Sequence, residues 1–185
     1  MIEKFDDENE RKLSNKYISI IEVGGAYAHK FYNFLEFIDT YCLVITDIDF
    51  VESNKHNAKK CHYDSTKELY SSNYAIKNWF NPQNPNKLKI DDSLKIGVKD
   101  NPKVMITFQI KNTEGIWPRS FEDAFILANN DLFDLESLSN ETIFDKADKI
   151  NSKLDFAIEY GIENTDWKTP DYIIKGLKWL SEVGD

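Results

Sequence analysis

The sequence predicts an α/β domain built on a parallel sheet. Two short apolar, β-branched runs each end at a carboxylate, and helical apolar spacing separates them. The composition is apolar enough to bury one core: of 185 residues, 41% are hydrophobic and 14% aromatic. That excludes intrinsic disorder for most of the chain, and the length suits one domain. No run approaches the roughly 18 consecutive apolar residues of a membrane span. The opening MIEKFDDENERK has no apolar stretch after its charges, so no secretory leader is read there. Cys42 and Cys61 cannot supply a disulfide framework, which points to the reducing cytoplasm.

Residues 1–14 are charged and lack periodicity, and read as a linker or disordered lead-in to a domain over 15–183. The run from Tyr17 to Glu22 is the first strand, ending at its carboxylate. Gly24 and Gly25 give a tight turn. Tyr27, Phe31, Phe34, Leu35 and Ile38 then recur at helical spacing, predicting a helix that packs on the sheet. Tyr41 to Thr46 is a second buried strand, running into Asp47-Ile48-Asp49. Strand, helix and strand within residues 17–46 make a βαβ unit with parallel strands. Its acidic positions stand at the carboxyl ends of those strands, where open α/β sheets place their sites.

Residues 51–103 follow as an irregular basic insertion. They hold ten lysines against six acids in a chain whose net charge is −9. An acidic body with a basic insertion can approach a polyanion through it, and a solvated lysine-rich surface has the same composition. Within it, Ser72 and Asn73 cap a short helix over 73–80 that ends at the Asn81-Pro82 turn. Val104 to Ile110 alternates and is β-branched, a third strand. Ser120 caps a helix through Asn129, with Glu122 and Asp123 in its first turn. Residues 140–183 are read as C-terminal helices, over 141–150, over 152–160 and from Pro170 onward. The last has Thr169 as N-cap and places Ile173, Ile174, Leu177 and Leu180 on one face.

The chemistry concentrates at Glu22, Asp47 and Asp49. Three carboxylates converging on one crevice repel one another unless a divalent cation neutralises them, and hard oxygen ligands favour Mg²⁺ or Mn²⁺. A D-x-D after an apolar run also occurs as an ordinary solvated turn, so the pattern leaves both readings open. Arg119 reads equally as a phosphate contact or as a carboxylate partner. His29, His56, Cys61 and His62 lack the spacing of a zinc set, and the four tryptophans read as core.

A glutamate ending one strand, then a helix, then D-x-D ending the next strand is the Toprim layout. The chain resembles the C-terminal Toprim region of the OLD-family ATP-dependent endonucleases over about residues 17–182. The stretches that carry the resemblance are IEVGGAYAHKF (21–31), LVITDID (43–49), SSNYAIKNW (71–79), WPRSFEDAF (117–125), KLDFAI (153–158) and PDYIIKGLKWL (170–180). The resemblance implies a Toprim-type parallel sheet flanked by helices, with the basic insertion after its second strand. It further implies Glu22, Asp47, Asp49 and Glu122 as metal ligands, with Glu22 also in acid–base work and Lys153 near the scissile phosphate. Two Mg²⁺ or Mn²⁺ ions would then activate a water and stabilise the leaving oxygen of a DNA phosphodiester. One departure is the run after Glu22, where the family often has a second acid and this chain has Gly25 and Ala26. Another is that no GxxxxGK[ST] phosphate loop exists, so the chain reads as the C-terminal portion of a longer protein whose ATPase portion is absent. The implied partners are DNA, that ATPase portion, further copies of the chain and a helicase-like protein, with no membrane; the implied role is defence against phage. Two other readings stay open. One is a haloacid-dehalogenase-like phosphatase using Asp47 as nucleophile and Asp49 as acid. The other is a non-catalytic assembly module that requires the ATPase portion.

Overall fold

The computed structural model describes every residue except Arg11, Gly25, Ala26, Asp100, Glu136 and Asp185. The second half of the predicted glycine turn and both positions of the missing acid therefore lie outside the described residues. Helix α1 (Ile2–Glu8) opens the chain, where an unstructured lead-in was expected. The reason is apolar: Phe5 and Leu13 are buried in a cluster with Tyr172, Ile173 and Leu177. The Asp6 carboxylate accepts the N–H groups of Leu13 and Ser14 at 2.7 and 2.9 Å, closing the turn after the helix.

The predicted strand over 17–22 is not formed. An apolar run becomes a strand only with a ladder partner and a covering face, and among the described residues this segment has neither. Tyr17, Ile20 and Ile21 are 99%, 82% and 74% exposed, and only Ile18 of the run packs against the cluster around α1. A 3₁₀ turn (Tyr27–Phe31) then leads into α2 (Tyr32–Ile38). No α2 residue is buried, so the expected packing on the sheet is absent. Helix α2 leans on a later helix instead: the Tyr32 hydroxyl donates to the Ala75 carbonyl at 3.1 Å, and its ring meets Trp79 edge-on at 5.4 Å.

The chain continues through β1 (Cys42–Ile45), β2 (Phe50–Val51), β3 (Leu69–Ser71), α3 (Tyr74–Phe80), β4 (Lys89–Ile90), β5 (Gly97–Val98) and β6 (Val104–Thr107). One sheet has the order β1-β6-β5, with β1 parallel to β6 in register from Cys42↔Val104 to Ile45↔Thr107. The parallel pairing expected between 17–22 and 41–46 is thus made between 42–45 and 104–107. The insertion is less irregular than expected, because β2, β3 and β4 form a separate antiparallel sheet within it. Phe50, Leu69 and Ile90 of that sheet share a core with Ile48, Ile76, Ile106, Phe108 and Trp117.

Helices α4 (Phe121–Ala128), α5 (Asn140–Asp148), α6 (Lys153–Ile158) and α7 (Asp171–Glu182) complete the fold. The result is a mixed α/β arrangement, a parallel-containing sheet flanked by helices, consistent with a Toprim-type fold. Helix α7 lies on β1 and β6. Gly176 permits that approach, since a Cβ there would meet the side chains of Leu43 and Thr107 at 2.9 and 3.0 Å. Helix α6 continues as a π-helical turn (Glu159–Glu163). An aromatic cluster ties it to α4: the Phe125 ring lies 5.3 Å from Phe156, 4.9 Å from Tyr160 and 5.4 Å from Trp167. No helix among the described residues is long and apolar enough to cross a membrane.

Candidate active site

The carboxyl end of β1 opens into a crevice of about 400 Å³ lined by Thr46, Asp47, Asp49, Asn73, Phe121 and Tyr172. The loop that carries the two aspartates is pinned through its backbone. The Asn73 side-chain amide donates to the Asp47 carbonyl at 2.7 Å and to the Thr46 hydroxyl at 2.8 Å, while its oxygen caps α3. The Asp49 N–H donates to the Arg119 carbonyl at 3.0 Å, and the Asp49 carbonyl accepts the Ser72 N–H at 2.9 Å. Asp49 itself takes φ +53°, a left-handed conformation costly for a side-chain-bearing residue, which those two bonds hold in place.

Gln109, fully buried just past β6, fixes the Asp47 carboxylate. Its amide nitrogen donates to Asp47 Oδ1 at 2.5 Å, and its oxygen accepts the Ile48 N–H at 2.9 Å. Burial, and next the charge of Asp49, push the Asp47 carboxyl up to about 7. The Gln109 hydrogen bond and Lys153 pull it the other way, and Glu122 adds to the rise. Asp49 is also raised by burial, against the pull of Arg119 and Lys153. The Arg119 guanidinium stands 2.8 Å from Asp49 Oδ1.

Helix α4 brings the third carboxylate. Ser120 occupies the N-cap position but does not cap through its side chain, contrary to expectation. Its hydroxyl is turned to Glu122, at 2.9 Å, and to Asp123. Lys153, at the start of α6, reaches across to Glu122 Oε1 at 2.8 Å while its side chain is 81% exposed. Burial pushes the Glu122 carboxyl up, but Lys153, the helix-end amide and Ser120 outweigh it and hold the group below the ordinary range. Lys153 is raised in turn, chiefly by its hydrogen bond to Glu122, and also by Asp47 and Asp49. Four of the five predicted site residues, Asp47, Asp49, Glu122 and Lys153, therefore share one electrostatic neighbourhood.

Glu22 is not brought to them. It is exposed, in a stretch without helix or strand. Among the described residues, no three of the His, Cys, Asp and Glu side chains stand together as a ready metal-binding group. Sequence reasoning missed Gln109, whose only signal is a polar residue in the apolar run VMITFQI, and left Arg119 between two roles. The His29 ring meets Tyr74 at a tilt and the His62 ring meets Phe144 edge-on, at 5.8 and 6.0 Å.

The family model of the overcoming lysogenization defect protein-like Toprim domain matches residues 1–49. Endonuclease GajA of Bacillus cereus (strain HuB5-5) is 28% identical over 204 residues, covering 96% of this chain. The chain spans 29% of that relative's length. No solved structure matches.

Proposed function

Since the chain carries an OLD-like Toprim nuclease region, we propose that it is the nuclease part of a metal-dependent DNA endonuclease that hydrolyses phosphodiester bonds. The observation that supports this reading most is that Asp47, Asp49 and Glu122 feel one another's charge at the carboxyl end of β1, with Arg119 paired to Asp49 and Lys153 to Glu122, although the three carboxylates do not stand together as a ready-made metal group. The donor set fits Mg²⁺ or Mn²⁺ in kind: three hard carboxylates, two of them carrying burial-raised proton affinity that a divalent ion would relieve. Asp47, Asp49 and Glu122 would hold the ions, with Glu22 as a fourth ligand. A bound pair of such ions supplies an activated water and a Lewis acid for the leaving oxygen.

The chain's own residues do the rest. Gln109 and Asn73 orient Asp47, and the backbone bonds of Arg119 and Ser72 orient Asp49. Lys153, exposed yet tethered to Glu122, places a cation where a phosphodiester enters the crevice. For Glu22 to join, residues 17–22 would have to pair along the side of β1 that has no strand neighbour among the described residues. That pairing would also cover the exposed Ile20 and Ile21. Exposed lysines of the insertion supply backbone contacts to DNA. The matched relative is far longer than the chain, which fits a parent protein with an ATPase portion, assembly into oligomers and a helicase-like partner.

Plasmid cleavage with Mg²⁺ or Mn²⁺ tests the reading on wild type, Glu22→Gln and Asp47→Asn. Cleavage by wild type and loss of more than about a hundredfold in both variants is expected. A second reading, the haloacid-dehalogenase-like phosphatase, is favoured by one observation: β1, which carries D-x-D, is the first strand among the described residues. Turnover of a phosphomonoester that survives Glu22→Gln, without plasmid cleavage, would establish it instead.

A further inference from the structure

We propose that Arg119 is a positioning residue that sets the cation affinity of the crevice, holding the Asp49 carboxylate in the cation-free chain and competing with a divalent ion for it. The inference rests on the metal-dependent reading above and adds a residue that neither the D-x-D pattern nor the relatives assign.

Arg119 meets Asp49 twice, in two separable ways. The side chain makes the 2.8 Å ion pair. The backbone carbonyl accepts the Asp49 N–H at 3.0 Å, and with the Ser72 bond it secures the left-handed backbone of Asp49. The placement of Asp49 therefore does not depend on the guanidinium, whereas its availability as a ligand does. The guanidinium is also poorly satisfied where it lies. Its side chain is 18% exposed, and its Nε is buried with no hydrogen-bond partner. A planar group with five donors, one of them buried and unmet, is held less firmly than a bidentate pair. A second carboxylate stands ready for it: Asp123, 3% exposed, already feels the Arg119 charge. When a dication takes Asp49, the guanidinium turns towards Asp123, one turn along the same segment.

Lys153 on Glu122 differs in kind. Its side chain is 81% exposed, so water screens it and it leaves its partner at little cost. Arg119, enclosed with Asp49, is a standing positive charge against the incoming ion.

Calorimetric titration of Mn²⁺ into wild type, Arg119→Gln and Asp49→Asn tests this. Removing one like charge at contact range should make Arg119→Gln bind Mn²⁺ about tenfold more tightly, and Asp49→Asn should lose most of the heat. Affinity in Arg119→Gln equal to or weaker than wild type overturns the proposal while wild-type binding keeps the metal reading. Absence of Mn²⁺ heat in wild type overturns both, and full affinity in Asp49→Asn overturns the role of Asp49 and this proposal with it. Melting in EDTA checks that Arg119→Gln folds. Should it not fold, the Arg119 Nε–H resonance of wild type, assigned against Arg119→Lys, decides. It should shift on Mg²⁺ addition as the guanidinium leaves Asp49, and an unmoved resonance overturns the proposal.

Discussion

At Asp47 the crevice sets a buried carboxylate beside Asp49 and near Glu122, and the fully buried Gln109 keeps it there. A buried carboxylate whose charge is opposed by its neighbours costs stability when it is ionised. Asp47→Asn keeps an oxygen for Gln109 and removes the buried charge. In EDTA at pH 8 its melting temperature should rise by a few degrees, about the effect of 1 kcal/mol in a chain this size, while Mn²⁺ binding is lost. Gln109→Met is the opposite case. It strands the buried Ile48 N–H, a loss of about 1–3 kcal/mol, and frees Asp47 to rotate. Denaturant melts should show the destabilisation, and Mn²⁺ calorimetry a weaker affinity. The two aspartates were legible in the sequence because a strand end places them. Gln109 was not, since a polar residue at a strand end is ordinary until its partners, 61 and 62 residues away, are known.

Among the elements, those whose signals are local formed where expected. Helix α3 has its Asn73 cap and α5 has Ser139 as its cap in a capping box. Elements defined by what covers them did not all follow. Helix α2 has the right apolar spacing, yet Phe34 and Ile38 of the expected face are 51% and 37% exposed. Helix α7 shows the reverse, with Pro170 rather than Thr169 at the N-cap position and its apolar face buried as expected. Its closeness to the sheet rests on Gly176. Gly176→Ala would press a methyl group onto Leu43 and Thr107, whose hydroxyl donates to the Tyr172 carbonyl. The expected cost is about 1–3 kcal/mol, read as a lower urea midpoint with an unchanged slope. Because β1 ends at the aspartates, the same variant should also weaken Mn²⁺ binding.

Over the whole molecule, charge is distributed less simply than composition suggests. Several insertion lysines are engaged: Lys60 with Asp148, Lys67 with Asp64, Lys89 with Glu68 and Lys103 with Asp39. Lys77 is buried, its amine over the Tyr74 ring. Lys55, Lys59, Lys87 and Lys95 are exposed, and they are the ones suited to a phosphate backbone. Changing these four to Glu should weaken DNA binding and flatten its dependence on salt. The slope should fall by up to about 0.9 log units of affinity per log unit of salt for each phosphate that a lysine no longer neutralises. Mn²⁺ binding should be unchanged, which separates DNA binding from cation binding in the crevice.

The sequence by itself determined the class of the fold, the strand that ends at Asp47 and Asp49, the helices that cap themselves, and the likeness that the Toprim family model and the endonuclease relative bear out. These depend on residues near one another in the chain. Only the tertiary structure decided that β1 pairs with β6, that the insertion carries its own sheet, that Gln109 and Arg119 grip the two aspartates, and that Glu22 lies apart from them. Each of these is a relation between distant segments, settled by which surfaces bury one another best, and no local pattern encodes that competition.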